Sequence, residues 1–322
     1  MRSLLTRFTD LYPVWVIAFA IIGLVKPEAL TWFSGPWVVW ALSVVMLGMG
    51  FTLTIDDFRR IFRMPGSVAM GLVAHYTIMP LSAWCIAHFL KLDSGFAVGL
   101  ILVASCPSGT ASNVICYLAR ANVALAVIIT LASTLVAFAT TPLWCKALAG
   151  QYVPVDAVQL SLSTLRIAVI PVLIGVLCNW KFPVATAKIK PVGPLISVVA
   201  LMFITGSIVG QNAQAVIENV GKLAIAAILL HTLGFGIGYV VAKIIRYPED
   251  IARTISIEVG MQNGGLAAVL AKQNFPLQPL AAVPAVFSAI TQTLLGSLLA
   301  TYWRKRPVKS DPAPEASIAD QP

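Results

Sequence analysis

The stretch "ISIEVGMQNGGLAAVL", residues 255–270, places a carboxylate, a glutamine and an asparagine inside an otherwise apolar run. A charged carboxylate at the centre of a membrane helix costs on the order of 2.5–3.5 kcal/mol on insertion scales. Glu258 therefore needs a compensating partner. Gly260, Gly264 and Gly265 give the same stretch a backbone that departs easily from a regular helix.

The composition of the whole chain is that of a polytopic membrane protein. Of its 322 residues, 58% are apolar and 11% are charged, far from the balance of a soluble domain. Nearly uncharged windows long enough to cross a bilayer recur along its length. We predict ten spans, at 11–26, 36–53, 67–89, 96–118, 123–145, 158–179, 192–213, 223–243, 255–274 and 281–303.

The Lys and Arg residues orient these spans. Sixteen fall on the side of the N-terminus, the even-to-odd connections and the C-terminus: Arg2, Arg7, Arg59, Arg60, Arg63, Arg120, Lys181, Lys188, Lys190, Lys243, Arg246, Arg253, Arg304, Lys305, Arg306 and Lys309. Five fall on the other: Lys26, Lys91, Lys146, Lys222 and Lys272. The positive-inside rule then places both termini in the cytoplasm. The net charge of +9 thus reports topology, and we expect no nucleic-acid partner.

Ten spans with both termini on one side divide into two halves of five with opposite orientations, as in inverted-repeat transporters. We predict halves at residues 1–150 and 151–306, followed by a disordered cytoplasmic tail at 307–322. The fourth span of the first half carries "SCPSGTASNV" (105–114), and "EVGMQNGGLA" (258–267) occupies the fourth span of the second. Gly109 and Gly260 are 151 residues apart, which is close to the length of one half.

Both stretches combine helix breakers with polar side chains at mid-membrane depth. Pro107 removes a backbone donor, and the glycines add conformational freedom. Unpaired backbone survives at that depth only against protein or water. We therefore predict two interrupted helices that cross, with half-helix N-termini facing an anion and freed carbonyls facing a cation. The alternative is close packing of small residues, which we assign to "GFGIGY" (234–239).

A bound cation is the favoured partner for Glu258, with protonation as the alternative. Neutral oxygen ligands are available from the side chains of Ser112, Asn113, Thr130 and Gln262 and from backbone carbonyls. One carboxylate among neutral oxygens suits a monovalent ion, whereas Ca²⁺ usually recruits several carboxylates. We predict sodium.

"GTASNVICYLARANVALAV" and "TISIEVGMQNGGLAA" resemble the bile acid:sodium symporter family, especially its bacterial ten-helix members, and the similarity covers nearly the whole chain. The resemblance implies a panel domain from spans 1, 2, 6 and 7 and a core domain from spans 3–5 and 8–10. It also implies two sodium sites. One would use Ser112, Asn113, Thr130 and Glu258; the other would use Glu258, Val259, Met261, Gln262 and the residue at position 75.

The chain departs from that family pattern at three places. His75 stands where a glutamine can occur in relatives, and its protonation would oppose sodium; a purely structural histidine is the alternative. Ala126 replaces a serine that relatives can place at the first site. In the tenth span, Thr291 and Gln292 follow Ile290 where relatives carry Trp-His-Asn, and we expect these two residues to contact substrate.

These features predict a sodium-coupled symporter that imports a small organic anion across a bacterial inner membrane by alternating access. The substrate carboxylate is expected at two helix N-termini, Thr110 with Ala111 and Gly264 with Gly265, and Asn263 is expected to hydrogen-bond it. The resemblance suggests bile acids, and related bacterial members are associated with pantoate, ketopantoate or pantothenate. We favour the small acid.

Two other functions fit parts of the sequence. A sodium/proton antiporter on a similar fold would use Glu258 with His75, although such antiporters often pair carboxylates at the crossing. A membrane sensor would bind the ligand without moving it. Motifs of intramembrane proteases and ATP-driven pumps are missing from the sequence, so we expect no enzyme. The lipid bilayer is an expected partner, and no protein partner is implied.

Overall fold

The computed structural model describes residues 8–9 and 11–306, and the regular secondary structure in this part of the chain is helical. The helices are α1 (Tyr12–Val25), α2 (Pro36–Thr52), α3 (Ile55–Ile61), α4 (Pro65–Phe89), α5 (Ser94–Ser105), α6 (Ala111–Leu118), α7 (Val123–Leu148), α8 (Ala157–Thr164), α9 (Ile170–Lys181), α10 (Pro183–Ile189), α11 (Gly193–Gln211), α12 (Ala213–Ile244), α13 (Glu249–Gly260), α14 (Gly264–Asn274) and α15 (Val283–Arg304). A π-helical turn, Leu165–Val169, joins α8 to α9. Short 3₁₀ turns lie at Pro27–Ala29, Ala149–Gln151, Lys190–Val192 and Pro279–Ala282. The predicted tail at 307–322 lies outside the described residues.

Local sequence signals explain where several of these helices begin. Pro36, Pro65 and Pro183 each open a helix, where a missing N–H costs no helical hydrogen bond. Thr54 and Asp57 form a capping box at the start of α3, which satisfies two otherwise free backbone donors. The helix bounds can be compared with the predicted spans: each span coincides with one helix or with a pair of consecutive helices. The largest difference is α12, which starts ten residues before the predicted eighth span at 223.

Six helical segments of the described chain are long and apolar enough to cross a membrane: Pro65–Phe89, Val123–Gln151, Ala157–Lys181, Pro183–Gln211, Ala213–Ile244 and Pro279–Arg304. The pair α2 and α3, bent by 81°, makes a seventh if it is taken as one span. Helices α1 and α5 are apolar but shorter. The sequence predicts ten spans, and the remaining predicted spans correspond to short or interrupted helices. The chain is therefore a multi-pass membrane protein with at least six candidate membrane helices.

Two predicted spans are interrupted where the sequence places its helix breakers. The fourth is α5 and α6, separated by residues 106–110, and the ninth is α13 and α14, separated by 261–263. The two interruptions pair with each other. Ser108 and Gln262 form an isolated antiparallel bridge, the Asn263 N–H donates to the Pro107 carbonyl at 2.8 Å, and the Gly109 N–H donates to the Met261 carbonyl at 3.4 Å. Each break thus supplies hydrogen-bonding partners that the other has lost.

Two sets of helices pack among themselves, and α8 bridges them by packing against α7 and α14. Helices α1 and α2 pack against α11, and α2 also packs against α9. Helix α12 packs against α4, α13 and α15, while α4 also contacts α5 and α7. The paired breaks lie within the second set. Contacts from α2 and α11 to α14 bring the first set against one side of the ninth span.

A single arginine joins three helix ends at the N-terminal end of α13, away from the paired breaks. Arg253, 3% exposed, donates from Nε to Glu249 at 2.9 Å. Its other nitrogens donate to the carbonyls of Ala119 (3.2 Å), Trp303 (3.3 Å) and Arg306 (2.7 Å). The guanidinium therefore joins α13 to the C-terminal ends of α6 and α15. Since five fixed donors radiate from one plane, lysine cannot reproduce this arrangement.

Arg253→Ala is expected to lower the stability of the folded chain by about 2 kcal/mol, because buried carbonyls lose their donor. Thermal unfolding of the purified protein in detergent measures the effect. Arg59→Ala is the matched control, since Arg59 pairs with Asp56 while their side chains are 69% and 70% exposed, and such pairs contribute little. Equal unfolding midpoints for the two variants would contradict the role given to Arg253.

Candidate functional site

The site is built around the Glu258 carboxylate, which lies near the end of α13 and is fully buried. The Ser112 hydroxyl donates to Oε1 at 2.5 Å, and the Thr130 hydroxyl donates to Oε2 at 2.8 Å. The two hydroxyl oxygens are themselves 3.4 Å apart. Helices α6, α7 and α13 thus each contribute one oxygen-bearing side chain to the same point. Three residues of the predicted first sodium site therefore lie together, and the site itself stays a prediction.

Two buried side-chain oxygens have no hydrogen-bond partner in the described part of the chain, Ser108 Oγ and Asn113 Oδ1, and Ser108 lies beside the Glu258 carboxylate. Ser108 lies in the first break, and its backbone N–H donates to Ser133 Oγ at 3.2 Å. Asn113 is adjacent to Ser112 in α6. A buried acceptor without a donor is costly, and a cation is one group that removes this cost. Ser108 was not predicted from the sequence, although it lies in the quoted 105–114 stretch.

His75, fully buried on α4, connects the two interrupted spans. Its Nδ1 lies 2.9 Å from the Glu258 carbonyl oxygen, and its Nε2 lies 2.9 Å from the Cys106 carbonyl oxygen. Carbonyl oxygens only accept hydrogen bonds, so a neutral imidazole donates to one of them and leaves the other facing a lone pair. His75 therefore lies in the predicted neighbourhood, against backbone oxygens of the site.

His231 makes a different arrangement on the other side of α13. Its Nδ1 lies 2.8 Å from the Gly260 carbonyl, and its Nε2 lies 2.8 Å from the Ser288 hydroxyl. A hydroxyl both donates and accepts, so one neutral imidazole satisfies both contacts. These contacts give His231 a structural function at the end of α13.

Gln262 lies at the centre of the crossing and is 1% exposed. One orientation of its carboxamide donates to the carbonyls of Cys106 at 2.7 Å and Val103 at 3.3 Å. The reverse orientation faces those carbonyls with the amide oxygen and donates instead to the Val259 carbonyl at 3.3 Å. The first orientation makes more hydrogen bonds, and it places the amide oxygen on the side of Val259. Val259 and Met261, the predicted carbonyl ligands, lie on either side of Gly260 at the end of α13.

Gln292 holds the backbone of Gln262 from the tenth span. Its Oε1 accepts from the Gln262 N–H at 2.6 Å, and its Nε2 donates to the Gln262 carbonyl at 2.9 Å. Both ends of the carboxamide are thereby used within the protein. The substrate contact predicted for Gln292 and Thr291 stays a prediction, and Thr291 is half-buried.

The predicted anion-binding residues lie at the starts of α6 and α14. Thr110 precedes α6 and is exposed, whereas Ala111 is half-buried. Asn263 precedes α14, and its side-chain oxygen accepts from the Leu266 N–H at 3.0 Å. Its amide nitrogen points towards the Met46 sulfur, 3.7 Å away. Asn263 therefore caps its own helix with its oxygen and donates from its amide nitrogen to Met46 of α2.

The glycines of the crossing permit close approach, which differs from the predicted conformational freedom. None of the described glycines apart from Gly35 has a positive φ. A Cβ on Gly109 would lie 2.6 Å from the Gln262 carbonyl oxygen, and one on Gly260 would lie 2.3 Å from the Phe235 ring. Gly264 and Gly265 are buried against α15 and α2 respectively. The close packing assigned to "GFGIGY" holds for Gly234, where an added Cβ would lie 3.0 Å from the Gly260 Cα.

Ala126 stands where relatives of the resembled family can carry a serine at the first predicted sodium site. Ala126 is fully buried and packs with Ile115, Cys116, Ile257 and Met261. A methyl group there contributes to an apolar cluster beside the site and offers no oxygen.

The donor set defines the class of site. Among the described residues no group of three or more His, Cys, Asp or Glu side chains gathers to hold a metal. One buried carboxylate, two hydroxyls, two orphaned oxygens and nearby carbonyls instead make a hard, singly charged environment, which suits an alkali cation. A multi-pass protein with paired helix breaks around such a site is a membrane transporter by class.

Comparison with known proteins agrees with that class. Residues 39–219, more than half of the chain, match the Sodium Bile acid symporter family. The "Probable sodium/metabolite cotransporter BASS1, chloroplastic" of Arabidopsis thaliana is 43% identical over 91% of this chain and 73% of its own length. The "Probable sodium/metabolite cotransporter BASS2, chloroplastic" of Oryza sativa is 44% identical over 95% of this chain and 73% of its own length.

A bacterial relative covers nearly the full length of both chains. The "Uncharacterized sodium-dependent transporter YocS" of Bacillus subtilis is 39% identical over 95% of this chain and 94% of its own length. The chain belongs to the sodium bile acid symporter family. It is a sodium-dependent transporter and not an enzyme, as predicted.

Gly109→Ala is expected to destabilise the protein by about 1–3 kcal/mol, because the added methyl group displaces the Gln262 carbonyl. Gly48→Ala is the control, since a Cβ at Gly48 meets no atom within 4 Å and alanine favours a helix. Thermal unfolding in detergent compares the two. A stability loss of the same size in both variants would argue against close approach at the crossing.

Proposed function

We propose that this chain is a sodium-coupled symporter that imports a small organic anion. The observation that carries the proposal is the buried Glu258 carboxylate surrounded by neutral oxygens, two of which lack a partner. Sodium binds such hard oxygen ligands and balances one negative charge. Two hydroxyl groups, those of Ser112 and Thr130, donate to the carboxylate.

The first sodium ion is assigned to Ser112, Asn113, Thr130 and Glu258. Support comes from the meeting of three of these side chains and from the unpaired Asn113 oxygen. When sodium enters, the hydroxyl lone pairs of Ser112 and Thr130 turn to the ion. Their protons then need new acceptors.

A second ion is assigned to the carbonyls of Val259 and Met261 and to Gln262, with His75 beside them. With the Gln262 nitrogen on Cys106, its oxygen side lies 3.3 Å from the Val259 carbonyl. Two acceptors that face each other repel, and a cation between them removes that repulsion. His75 contributes by holding the Glu258 carbonyl.

The architecture proposed for transport has ten spans in two inverted halves, with a panel of spans 1, 2, 6 and 7 and a core of spans 3–5 and 8–10. The two packing sets and the matched helix breaks support this division. The panel then moves relative to the core around the crossing, in a bacterial inner membrane with both termini cytoplasmic.

The substrate carboxylate is proposed to bind between panel and core, at the starts of α6 and α14. The Asn263 amide nitrogen faces Met46 of α2, and a Cβ on Gly265 would meet Leu201 and Leu42 at 2.9 and 3.3 Å. This close fit favours a small hydroxy acid such as pantoate, ketopantoate or pantothenate over a steroid. Two sodium ions with one monoanion carry net charge inward, so a membrane potential adds about 2.3 kcal/mol per charge per 100 mV.

Accumulation of labelled pantoate and taurocholate in proteoliposomes, with and without a sodium gradient, tests the substrate. Sodium-driven uptake of pantoate supports the proposal, whereas uptake of taurocholate alone assigns the bile-acid class. Sodium/proton exchange without uptake of either compound would instead establish an antiporter. Ligand binding without uptake would establish a sensor.

Glu258→Gln is expected to reduce sodium-driven uptake by at least about 100-fold, because a neutral carboxamide of the same shape removes the charge that balances sodium. Sodium-induced thermal stabilisation should disappear in the same variant. The control is Glu218→Gln, an exposed carboxylate bonded to Gln214. Unchanged uptake by Glu258→Gln would refute the sodium assignment.

Asn113→Ala separates a sodium ligand from a structural residue by the sign of its effect. Removing a buried, unpaired oxygen relieves a desolvation cost, so stability without sodium should be equal or higher. The half-saturating sodium concentration should rise about tenfold, which corresponds to about 1.4 kcal/mol. Asn219→Ala, which removes an amide bonded to the Ala215 carbonyl, should leave sodium dependence unchanged. If Asn113→Ala also leaves the sodium dependence of uptake unchanged, Asn113 is not a sodium ligand.

A further inference from the structure

A cleft separate from the Glu258 site opens between α12 and α15. We call it the α12–α15 cleft; its volume is about 570 Å³. Its apolar walls include Phe235, Gly236, Leu295 and Leu299. Leu298 at its edge is 68% exposed and Tyr302 is 49% exposed, so the cleft is open to the surroundings of these two helices. In a membrane protein those surroundings are lipid.

One end of the cleft is polar and positively charged. Glu249 lines this end, but its carboxylate is already bound by Arg253 at 2.9 Å, Lys243 at 3.3 Å and the Tyr239 hydroxyl at 3.0 Å. Arg253 is in turn satisfied by Glu249 and by three carbonyls. These groups therefore form a closed network with little capacity for a further ligand.

Arg306 is the cation left available at the polar end. Its guanidinium carbon lies 4.4 Å from the centre of the Tyr302 ring, and its carbonyl accepts from Arg253, which fixes its backbone. It forms no ion pair among residues 8–9 and 11–306. A stacked and backbone-anchored arginine is well placed to bind a phosphate with two hydrogen bonds.

The length of the cleft matches an amphiphile. The nine helical steps from Leu295 to Arg304 span about 14 Å at 1.5 Å per residue. The apolar walls lie towards mid-membrane, and Arg306 lies just beyond the helix end. The positive-inside pattern places this end at the cytoplasmic surface, where anionic lipids attract basic residues.

We propose that the α12–α15 cleft binds one anionic phospholipid, with an acyl chain between the apolar walls and the phosphate at Arg306. Charge complementarity at one end and apolar walls along the rest favour this occupant over a soluble anion. The site lies on α12, α13 and α15, three helices of the proposed core. It does not depend on the identity of the transported substrate.

Native mass spectrometry of the purified full-length protein, titrated with phosphatidylglycerol or phosphatidylcholine, tests the headgroup. Phosphatidylglycerol should bind about fivefold more tightly, as expected for one basic residue at an anionic headgroup. Arg306→Ala should abolish this preference. Lys305→Ala should retain it, because Lys305 is exposed and does not line the cleft.

Gly236→Leu tests the acyl-chain portion. A Cβ on Gly236 meets no atom within 4 Å, so a leucine side chain can occupy the cleft without disturbing the helix packing. The variant should lose binding of both lipids at this site. Gly221→Leu is the matched control, since Gly221 lies on the same helix, has equally open space and does not line the cleft. Thermal unfolding confirms that each variant remains folded.

Three results would overturn the proposal. Equal loss of headgroup preference in Arg306→Ala and Lys305→Ala would indicate a diffuse basic surface. Unchanged lipid binding in Gly236→Leu would show that no acyl chain enters the cleft. Displacement of the lipid by millimolar inorganic phosphate alone would indicate a site for free phosphate.

Discussion

The structure depends on one constraint: backbone freed from helical hydrogen bonding inside a membrane protein must find partners in the protein. The two helix interruptions meet this constraint by pairing with each other through Ser108 and Gln262. Pairing fixes the end of α13, and with it the position of Glu258. Without this crossing, carbonyls and a carboxylate would be left at a depth where water is scarce.

Side chains from neighbouring helices complete the pairing. Gln292 binds both backbone groups of Gln262, while His75 and His231 reach the Glu258 and Gly260 carbonyls. These contacts come from α4, α12 and α15, so the crossing is held on several sides. In the proposed transporter, this crossing would link a cation at Glu258 to a substrate at the start of α14 through only a few residues, which is what coupling between two ligands requires.

Much of the fold was predictable because its signals are local. Apolar windows located the helices, and Pro107 and the glycines marked both interruptions. Glu258 could be selected because an isolated carboxylate in an apolar run is costly wherever its partners lie. The function of the glycines could not be predicted in detail, since close approach depends on neighbours such as Phe235 that are remote in sequence.

The sequence by itself determined that this chain is a polytopic membrane protein with two broken helices and a carboxylate that needs a partner. Tertiary structure decided which residues surround that carboxylate. Ser112 and Thr130 are 146 and 128 residues away from it along the chain, and only folding brings their hydroxyls to its two oxygens. It also decided that Asn263 caps its helix and that Ser108 and Asn113 keep unpaired oxygens. Hydrogen-bond satisfaction is a property of three-dimensional neighbours, and composition and periodicity do not encode it directly.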